Sequence, residues 1–285
     1  MIFLGTGAAE LYPNPFCSCE TCTRARREGA IPRKRSSMLI DPRTLIDFGP
    51  EVPAASQMYN RPLDALERVF ITHTHEDHLS IATLDILTMT SSRKGNPISL
   101  YLSHEGKAWM EGLIAANPGG YFGGLSRLVN DAYIRFAGVT PYESFRAGEL
   151  EVYAIRTNHQ SNGENERALN YRLGFPDGKK LLYAADTGLY SDENLRALAG
   201  SAIDTLVMEG TCGNRDIPRG AGHLNAEHFC ENVGNLLACG ALKKDARVYV
   251  THINQVSSFS HSEYQAYLDA HCPIPATVAY DGMNV

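Results

Sequence analysis

The sequence has no long apolar run, no low-complexity segment, no convincing internal repeat and no excess of basic residues. Because a bilayer-spanning helix needs about 18 apolar residues in a row, the sequence predicts no membrane partner. The balance of 26 Lys and Arg against 32 Asp and Glu gives a net charge of −6, which argues against a broad nucleic-acid-binding surface. No basic leader precedes the short apolar stretch at residues 1–7, so we expect a cytoplasmic protein.

The composition favours an ordinary folded protein, with 44% hydrophobic and 20% charged residues. Short β-rich runs alternate with helical patterns, and the order of the runs predicts mixed sheets with helices outside. We expect one domain over residues 1–285 of the α/β (α+β) class. The glycine-rich stretch 117–124 lies inside a segment, 104–137, that we interpret as a possible insertion or lid.

Histidine and cysteine are the residues that carry information about function, with 10 and 7 copies. An odd number of cysteines in a long chain argues against a disulfide framework, so the thiols are expected to bind metal or to be buried. The positions of the histidines and cysteines along the chain decide between metal binding and simple burial.

The most informative segment is 69–78, where an apolar run leads into three histidines and two acids, His73-Thr74-His75-Glu76-Asp77-His78. Strand alternation would place His73 and His75 on one side, able to share a cation. Asp77 and His78, at the start of a following helix, could face a second cation. Imidazole and carboxylate suit divalent Zn, Mn or Fe.

Three later residues follow apolar runs in the same way: His159, Asp186 and His252. Each is a potential ligand at the end of a strand, where loops gather around a site. Together with the first motif they complete two coordination spheres.

The H-x-H-x-D-H motif followed by isolated His, Asp and His resembles the metallo-β-lactamase superfamily. That resemblance implies an αββα sandwich, two mixed β-sheets flanked by helices, with a dinuclear site at one edge. It implies that one metal is bound by His73, His75 and His159, and the other by Asp77, His78 and His252. It further implies that Asp186 bridges the two and that Asp47 orients a ligand histidine.

Three cysteines, Cys17, Cys19 and Cys22, form a C-x-C-x-x-C spacing that can wrap around one tetrahedral zinc if a fourth ligand arrives from elsewhere. This string is similar to the N-terminal loop of the PhnP family, cyclic phosphodiesterases of the carbon–phosphorus lyase pathway. The family's fourth ligand is a histidine three residues after the last catalytic histidine, and here that position is Gln255. His261 is our first candidate for the fourth ligand and Cys212 the second.

His223 precedes a predicted helix over 226–238, where it could donate a proton to an anionic leaving oxygen. The resemblance implies catalytic roles for His223, as the general acid, and for Asp77. The segment 222–227 also resembles the H-S-T-A-E string of the tRNA 3′-processing endonuclease.

These observations lead to the hypothesis of a metal-dependent phosphodiesterase. Two divalent ions, Zn or Mn, would lower the pKa of a bridging water so that hydroxide attacks a small cyclic phosphodiester. The alternatives are a tRNA 3′-processing endonuclease, a thioester or lactone hydrolase with the same centre, and a non-catalytic metal-binding relative. Nucleic acid is the less expected partner because no basic groove is evident, and the family resemblance suggests a homodimer.

Overall fold

Two β-sheets stacked face to face form the centre of the computed structural model, which describes residues 1–122 and 124–285. The first sheet contains six strands in the order β1-β2-β3-β4-β5-β6. They are β1 (Ile2–Gly5), β2 (Ser37–Asp41), β3 (Thr44–Ile46), β4 (Arg68–Phe70), β5 (Ile98–Ser103) and β6 (Ile134–Val139). The sheet is mixed, because β1, β2 and β3 pair antiparallel whereas β3 to β6 pair parallel.

The second sheet contains seven strands in the order β13-β12-β11-β10-β9-β8-β7. They are β7 (Ser144–Ala147), β8 (Leu150–Gln160), β9 (Arg167–Gly174), β10 (Lys180–Ala184), β11 (Ile203–Glu209), β12 (Leu242–Thr251) and β13 (Ala276–Val278). Strands β10 to β13 are parallel and β7 to β10 antiparallel. A hairpin turn at Asp177-Gly178 joins β9 and β10, with Gly178 at φ +83°.

The described residues form eight α-helices, most of which cover the outer faces of the sheets. They are α1 (Glu20–Arg27), α2 (Val52–Met58), α3 (Ile81–Asp85), α4 (His104–Ala116), α5 (Leu125–Asn130), α6 (Asp192–Leu198), α7 (Ala226–Ala238) and α8 (His261–His271), with 3₁₀ turns at Ile86–Met89 and Ser91–Arg93. Ser191 and Asn225 cap α6 and α7 through their side chains. The cap of α8 is Ser260, within a capping box with Glu263.

Three apolar clusters define four layers. One lies between the sheets and includes Phe70, Tyr171 and Tyr183. The other two lie between each sheet and its helices, with Met110 and Phe229 as examples. The predicted αββα arrangement is therefore confirmed, because each sheet buries both of its faces.

The segment 104–137 contributes to this core. Its helices α4 and α5 bury Met110, Ile114 and Leu128, and β6 forms the edge of the first sheet. Part of the predicted glycine-rich loop, Gly123, lies outside the described residues. A role as a lid over a site stays a prediction. No helix in the described ranges is both long and apolar enough to cross a membrane.

Candidate metal centre

The ends of several strands from both sheets meet at one edge of the sandwich. Because β10, β11 and β12 are parallel, the residues that follow them, Asp186 and His252 among them, emerge on the same side. His159, near the end of β8, reaches the same edge, and β4 leads into the segment 71–80 there. All seven predicted metal ligands lie in this region.

The conformation of residues 71–80 differs from the one predicted. Strand β4 ends at Phe70, so His73 and His75 lie in a loop and are not brought together by strand alternation. Helix α3 begins only at Ile81, so Asp77 and His78 lie in the turns before it. Backbone hydrogen bonds of Phe48 with His78 and with Ser80 hold this loop against the segment after β3. Gly49 is required there, because a Cβ at that position would lie 2.3 Å from the carbonyl oxygen of Asp77.

The first group of donors comprises His73, His75, His159 and Asp186. His75 Nδ1 lies 2.9 Å from His73 Nε2 and 3.3 Å from His159 Nε2. Oδ2 of Asp186 lies 3.4 Å from Nε2 of both His73 and His159. Ligands about 2.0–2.2 Å from a tetrahedral zinc are about 3.4 Å from one another, so these spacings fit one ion.

The second group comprises Asp77, His78 and His252, with Asp186 again adjacent. Nε2 of His78 lies 3.1 Å from Asp77 Oδ2 and 3.3 Å from His252 Nε2. The other carboxylate oxygen of Asp186, Oδ1, lies 2.9 Å from His252 Nε2. Asp186 therefore turns one oxygen to each group, which is the geometry that a bridging carboxylate needs.

The orientation of the histidine rings also fits a metal. His78 Nδ1 lies 2.7 Å from Asp47 Oδ2, His252 Nδ1 lies 2.8 Å from Thr211 Oγ1, and His159 Nδ1 lies 3.2 Å from the carbonyl oxygen of Gly222. An oxygen acceptor at Nδ1 leaves the Nε2 lone pair free to bind a cation. Asp186 Oδ1 is buried and receives no hydrogen bond of acceptable geometry, as expected for an oxygen that a cation would satisfy.

The ionisation of the site follows its burial and its charges. Burial lowers the pKa of His73, His75 and His159, which leaves these rings in the neutral form that binds metal. Burial acts in the same direction on His252, but Asp186 outweighs it and raises the pKa to about 10. A cation at this position would compete with that proton, so metal binding is coupled to proton release.

The two carboxylates of the site are held ionised. Burial alone would raise the pKa of Asp77, but His78 and His252 outweigh it and hold the pKa well below its ordinary value. The pKa of Asp186 is likewise held well below its ordinary value, since His252, His78 and His159 together outweigh the effect of burial. Both side chains are therefore negatively charged at neutral pH.

Asp47 occupies the position predicted for an acid that orients a histidine. It is fully buried, contacts His78 through Oδ2, and accepts hydrogen bonds from the backbone N–H (2.8 Å) and the hydroxyl of Thr72 through Oδ1. Asp47, Asp186 and His252 all have positive φ angles, 61°, 50° and 58°. Non-glycine residues adopt this conformation at a cost, and the surrounding contacts hold them in it.

His223 lies beside both groups of donors, with its ring 4.7 Å from that of His159 between centroids. Its Nδ1 lies 2.8 Å from Oε1 of Glu209, a residue at the end of β11 that sequence reasoning missed. Glu209 is fully buried and also accepts hydrogen bonds from the backbone N–H groups of Thr187 and Leu224. Burial lowers the pKa of His223, but Glu209 outweighs it and raises the pKa to about 9.

A second buried acid, Glu166, was also missed. It is 1% exposed and accepts hydrogen bonds from the backbone N–H and the hydroxyl of Thr74, between His73 and His75, and from the N–H of Gly163. It thereby fixes the loop that carries the two histidines. Nothing in the local sequence around Glu209 or Glu166 marks them, because the side chains that they hold, His223 and Thr74, are 14 and 92 residues away.

The three cysteines form a separate group, with their sulfur atoms within 4.8 Å of one another. Cys22 is buried and Cys19 exposed. A hydrogen bond from the backbone N–H of Cys22 lowers the pKa of the Cys19 thiol, whereas burial raises the pKa of Cys22 to about 11.

Neither proposed fourth ligand belongs to this group in the described part of the chain. His261 instead lies with its Nδ1 3.1 Å from a guanidinium nitrogen of Arg33. Cys212 lies in the turn after β11, where its N–H bonds to the carbonyl oxygen of Leu224. The side-chain oxygen of Gln255, at the position where the PhnP pattern has histidine, is buried and has no hydrogen-bond partner.

Comparison with known proteins gives one family match. A family model described as the β-lactamase superfamily domain matches residues 42–253, well over half of the chain. No curated protein matches the sequence.

Solved structures match over nearly the whole chain. Zn²⁺-bound PqqB from Methylobacterium extorquens has a TM-score of 0.74 and 20% identity, over 99% of this chain and 98% of that one. A diphosphatase from the PhnP family has a TM-score of 0.69 and 18% identity, over 99% and 95%. The short form of human tRNase Z has a TM-score of 0.64 and 18% identity, over 99% and 96%. At these identities the likeness establishes the fold and does not choose among the substrates of the three proteins.

Proposed function

Because this chain belongs to the β-lactamase superfamily, we propose that it is a metal-dependent phosphodiesterase that hydrolyses a small, cyclic phosphodiester. The observation that carries the proposal is the convergence of seven His and Asp donors on two adjacent positions that share Asp186. His223 stands beside them with Glu209 at its Nδ1. Metal ligands together with a positioned proton donor are what phosphodiester hydrolysis requires.

The donor set supports two divalent ions, zinc or manganese. His73, His75 and His159 would hold one, Asp77, His78 and His252 the other, and Asp186 both. When bound, the ions would lower the pKa of a water molecule and neutralise the phosphate oxygens. A third ion, a structural zinc, is proposed for Cys17, Cys19 and Cys22, with its fourth ligand still to be found.

The chain's own contribution to the reaction is proton transfer and positioning. Glu209 accepts a hydrogen bond from Nδ1–H of His223, and its charge raises the pKa of the ring to about 9, so that the ring is an imidazolium with a second proton on Nε2. From Nε2 the proton would pass to the leaving alkoxide of the phosphodiester. Asp47 fixes the ring of His78, and Glu166 fixes the loop of His73 and His75, so that the donors need no rearrangement.

The choice of a small substrate follows from charge. The chain carries a net charge of −6, so a long polyanion would meet repulsion away from the site. A cyclic phosphodiester needs only the local positive field of the two ions.

The test is a substrate panel on the purified protein with Mn²⁺ and Zn²⁺ added separately. We expect turnover of ribosyl or nucleoside cyclic phosphates, with a precursor tRNA, a thioester and a lactone as the competing substrates. Selective cleavage of the precursor tRNA, or hydrolysis of the thioester or lactone without any phosphodiester, would replace the proposal. Protein that carries metal but hydrolyses none of them would indicate a non-catalytic relative.

A further inference from the structure

A cavity of about 350 Å³, separate from the metal centre, lies between helix α1, the segment 29–33, the first turn of α8 and the end of β13. Its volume is within the range of about 300–1,000 Å³ that small-molecule sites occupy. Its wall is largely aromatic and aliphatic, and includes Tyr12, Ala25, Ile31, Phe259, Tyr264 and Val278. None of the residues of the metal centre lines it.

One cation in this wall, Arg33, has no carboxylate in direct contact, and Asp281 reaches it only through the Thr6 hydroxyl. Arg33 is only 6% exposed, and its guanidinium makes three contacts, with Thr6 Oγ1 at 2.7 Å, the carbonyl oxygen of Ala279, and His261 Nδ1 at 3.1 Å. All three partners are neutral, since burial and the charge of Arg33 lower the pKa of His261. A guanidinium has five N–H donors, so two remain for another acceptor.

The acids nearby are engaged elsewhere. Asp281 accepts from the Thr6 hydroxyl and from the backbone N–H of Lys34, and its carboxylate pairs with the ammonium of Lys34 at 3.4 Å. In the described ranges no carboxylate lies within 4.0 Å of the Arg33 guanidinium. A buried charge without a carboxylate in direct contact is costly, and an anion in the cavity would lower that cost.

The remaining charged residues of the wall do not supply the counter-ion. Arg24 pairs with Glu263 at 2.9 Å. Glu28 is exposed and lies 3.9 Å from the guanidinium of Arg27. The carboxylate of Glu28 would repel a ligand with several negative charges, which favours an anion of a single charge.

We propose that this cavity binds a small amphipathic monocarboxylate, with its carboxylate on Arg33 and its apolar body against the aromatic and aliphatic wall. The guanidinium of Arg33 can bind a carboxylate, and the largely apolar remainder of the wall can bury a hydrocarbon chain. The site is independent of the proposed hydrolysis, because it shares no side chain with the metal centre.

The test is calorimetric titration of the metal-loaded protein with octanoate and, as the neutral isostere, octanamide. We expect octanoate to bind at one site and octanamide at least about tenfold more weakly, since a charge-assisted hydrogen bond is lost. Absence of octanoate binding, or equal binding of the two compounds, overturns the proposal.

Two variants locate the site. Ala30→Trp places a large side chain on the cavity wall while Arg33 itself is unchanged, and is expected to abolish octanoate binding. Ala54→Trp, on the exposed face of α2, is the matched control and should bind normally. Arg33→Met should bind octanoate and octanamide alike. If Arg33→Met fails to fold, Ala30→Trp still tests the proposal. Octanoate that binds to Ala30→Trp as tightly as to the unmodified protein would be bound elsewhere, for example at the metal ions, and the proposal would be wrong.

Discussion

The two clusters of metal-binding residues in this chain are built in opposite ways. The three cysteines come from six consecutive positions, 17–22, and Cys19 is exposed. The His and Asp cluster collects residues from positions 73 to 252, and His73, His78, Asp186 and His252 are each at most 2% exposed. The local sequence brings the cysteines together, whereas the His and Asp cluster depends on the packing of both sheets.

The clusters also differ in how their members are held. His78 is fixed by Asp47, and His223 by Glu209. The described hydrogen bonds of Cys17 and Cys19 are local, such as those from the N–H of Cys19 to the sulfur of Cys17 and from the Arg26 guanidinium to the carbonyl oxygen of Cys17. The His and Asp cluster, which has such supporting contacts, is preorganised, so the loss of one of its residues should lower the rate of the proposed reaction. The loss of the local cluster should affect only the loop.

The largest effect is expected at the residue that joins the two donor groups. Asp186→Ala removes the ligand that faces both positions, and phosphodiesterase activity should fall by about a thousandfold or more. The measurement is turnover of a cyclic phosphate together with the metal content by elemental analysis. A variant with full metal content and unchanged turnover would contradict the assignment.

The next effect is expected at the proton donor. His223→Ala should lower kcat by about 10²–10⁴-fold, because the leaving oxygen would depart without a proton. His104→Ala, an exposed histidine on α4, is the matched control and should keep full activity. An activated ester whose leaving group needs no proton should restore most of the loss in His223→Ala.

Glu209→Gln separates this role from a purely structural one through its pH dependence. The carboxylate raises the pKa of His223 to about 9, so the ring keeps its proton below that pH and loses it as the pH rises. Without the charge, the pKa falls, and the alkaline limb of the kcat profile should move to lower pH. An alkaline limb at the same pH in both proteins would contradict the role of Glu209.

A smaller effect is expected at Asp47, which contacts a ligand rather than the substrate. Asp47→Asn should weaken metal binding or activity by about 10–100-fold, since the ring of His78 loses its acceptor. Added metal should restore part of the activity. Asp177→Asn, in the exposed hairpin turn, is the control, and an equal response of both variants to metal would show that Asp47 does not act through His78.

The smallest effect on catalysis is expected at the cysteines. Cys19→Ser should remove one bound zinc per chain while turnover stays close to that of the unmodified protein. Cys239→Ser, outside the cluster, should change neither. Metal content in His261→Ala and Cys212→Ala tests the two proposed fourth ligands, and a loss of turnover in Cys19→Ser as large as in Asp186→Ala would show that the two clusters are coupled.

The sequence by itself determined the metal-binding residue types and the layered fold. The string His73 to His78 combines four predicted ligands in six residues, which chance rarely supplies. The alternation of apolar runs and helical patterns indicated mixed sheets with helices outside, and the family resemblance implied the two-sheet sandwich. The boundaries of Ala226–Ala238 were predicted to the residue, because a good cap and a clear apolar face coincide there. Strands β6 and β7 were missed, since their exposed edge positions carry a weak pattern.

Tertiary structure decided which distant residues meet. Glu209, Glu166 and Arg33 carry no local signal, because a buried charge is defined by its partners and those come from other strands and loops. The same reason explains why His261, a reasonable ligand by spacing, instead contacts Arg33 at a cavity wall. Spacing along the chain fixes distances only within one element, and the packing of the sheets fixes all the others.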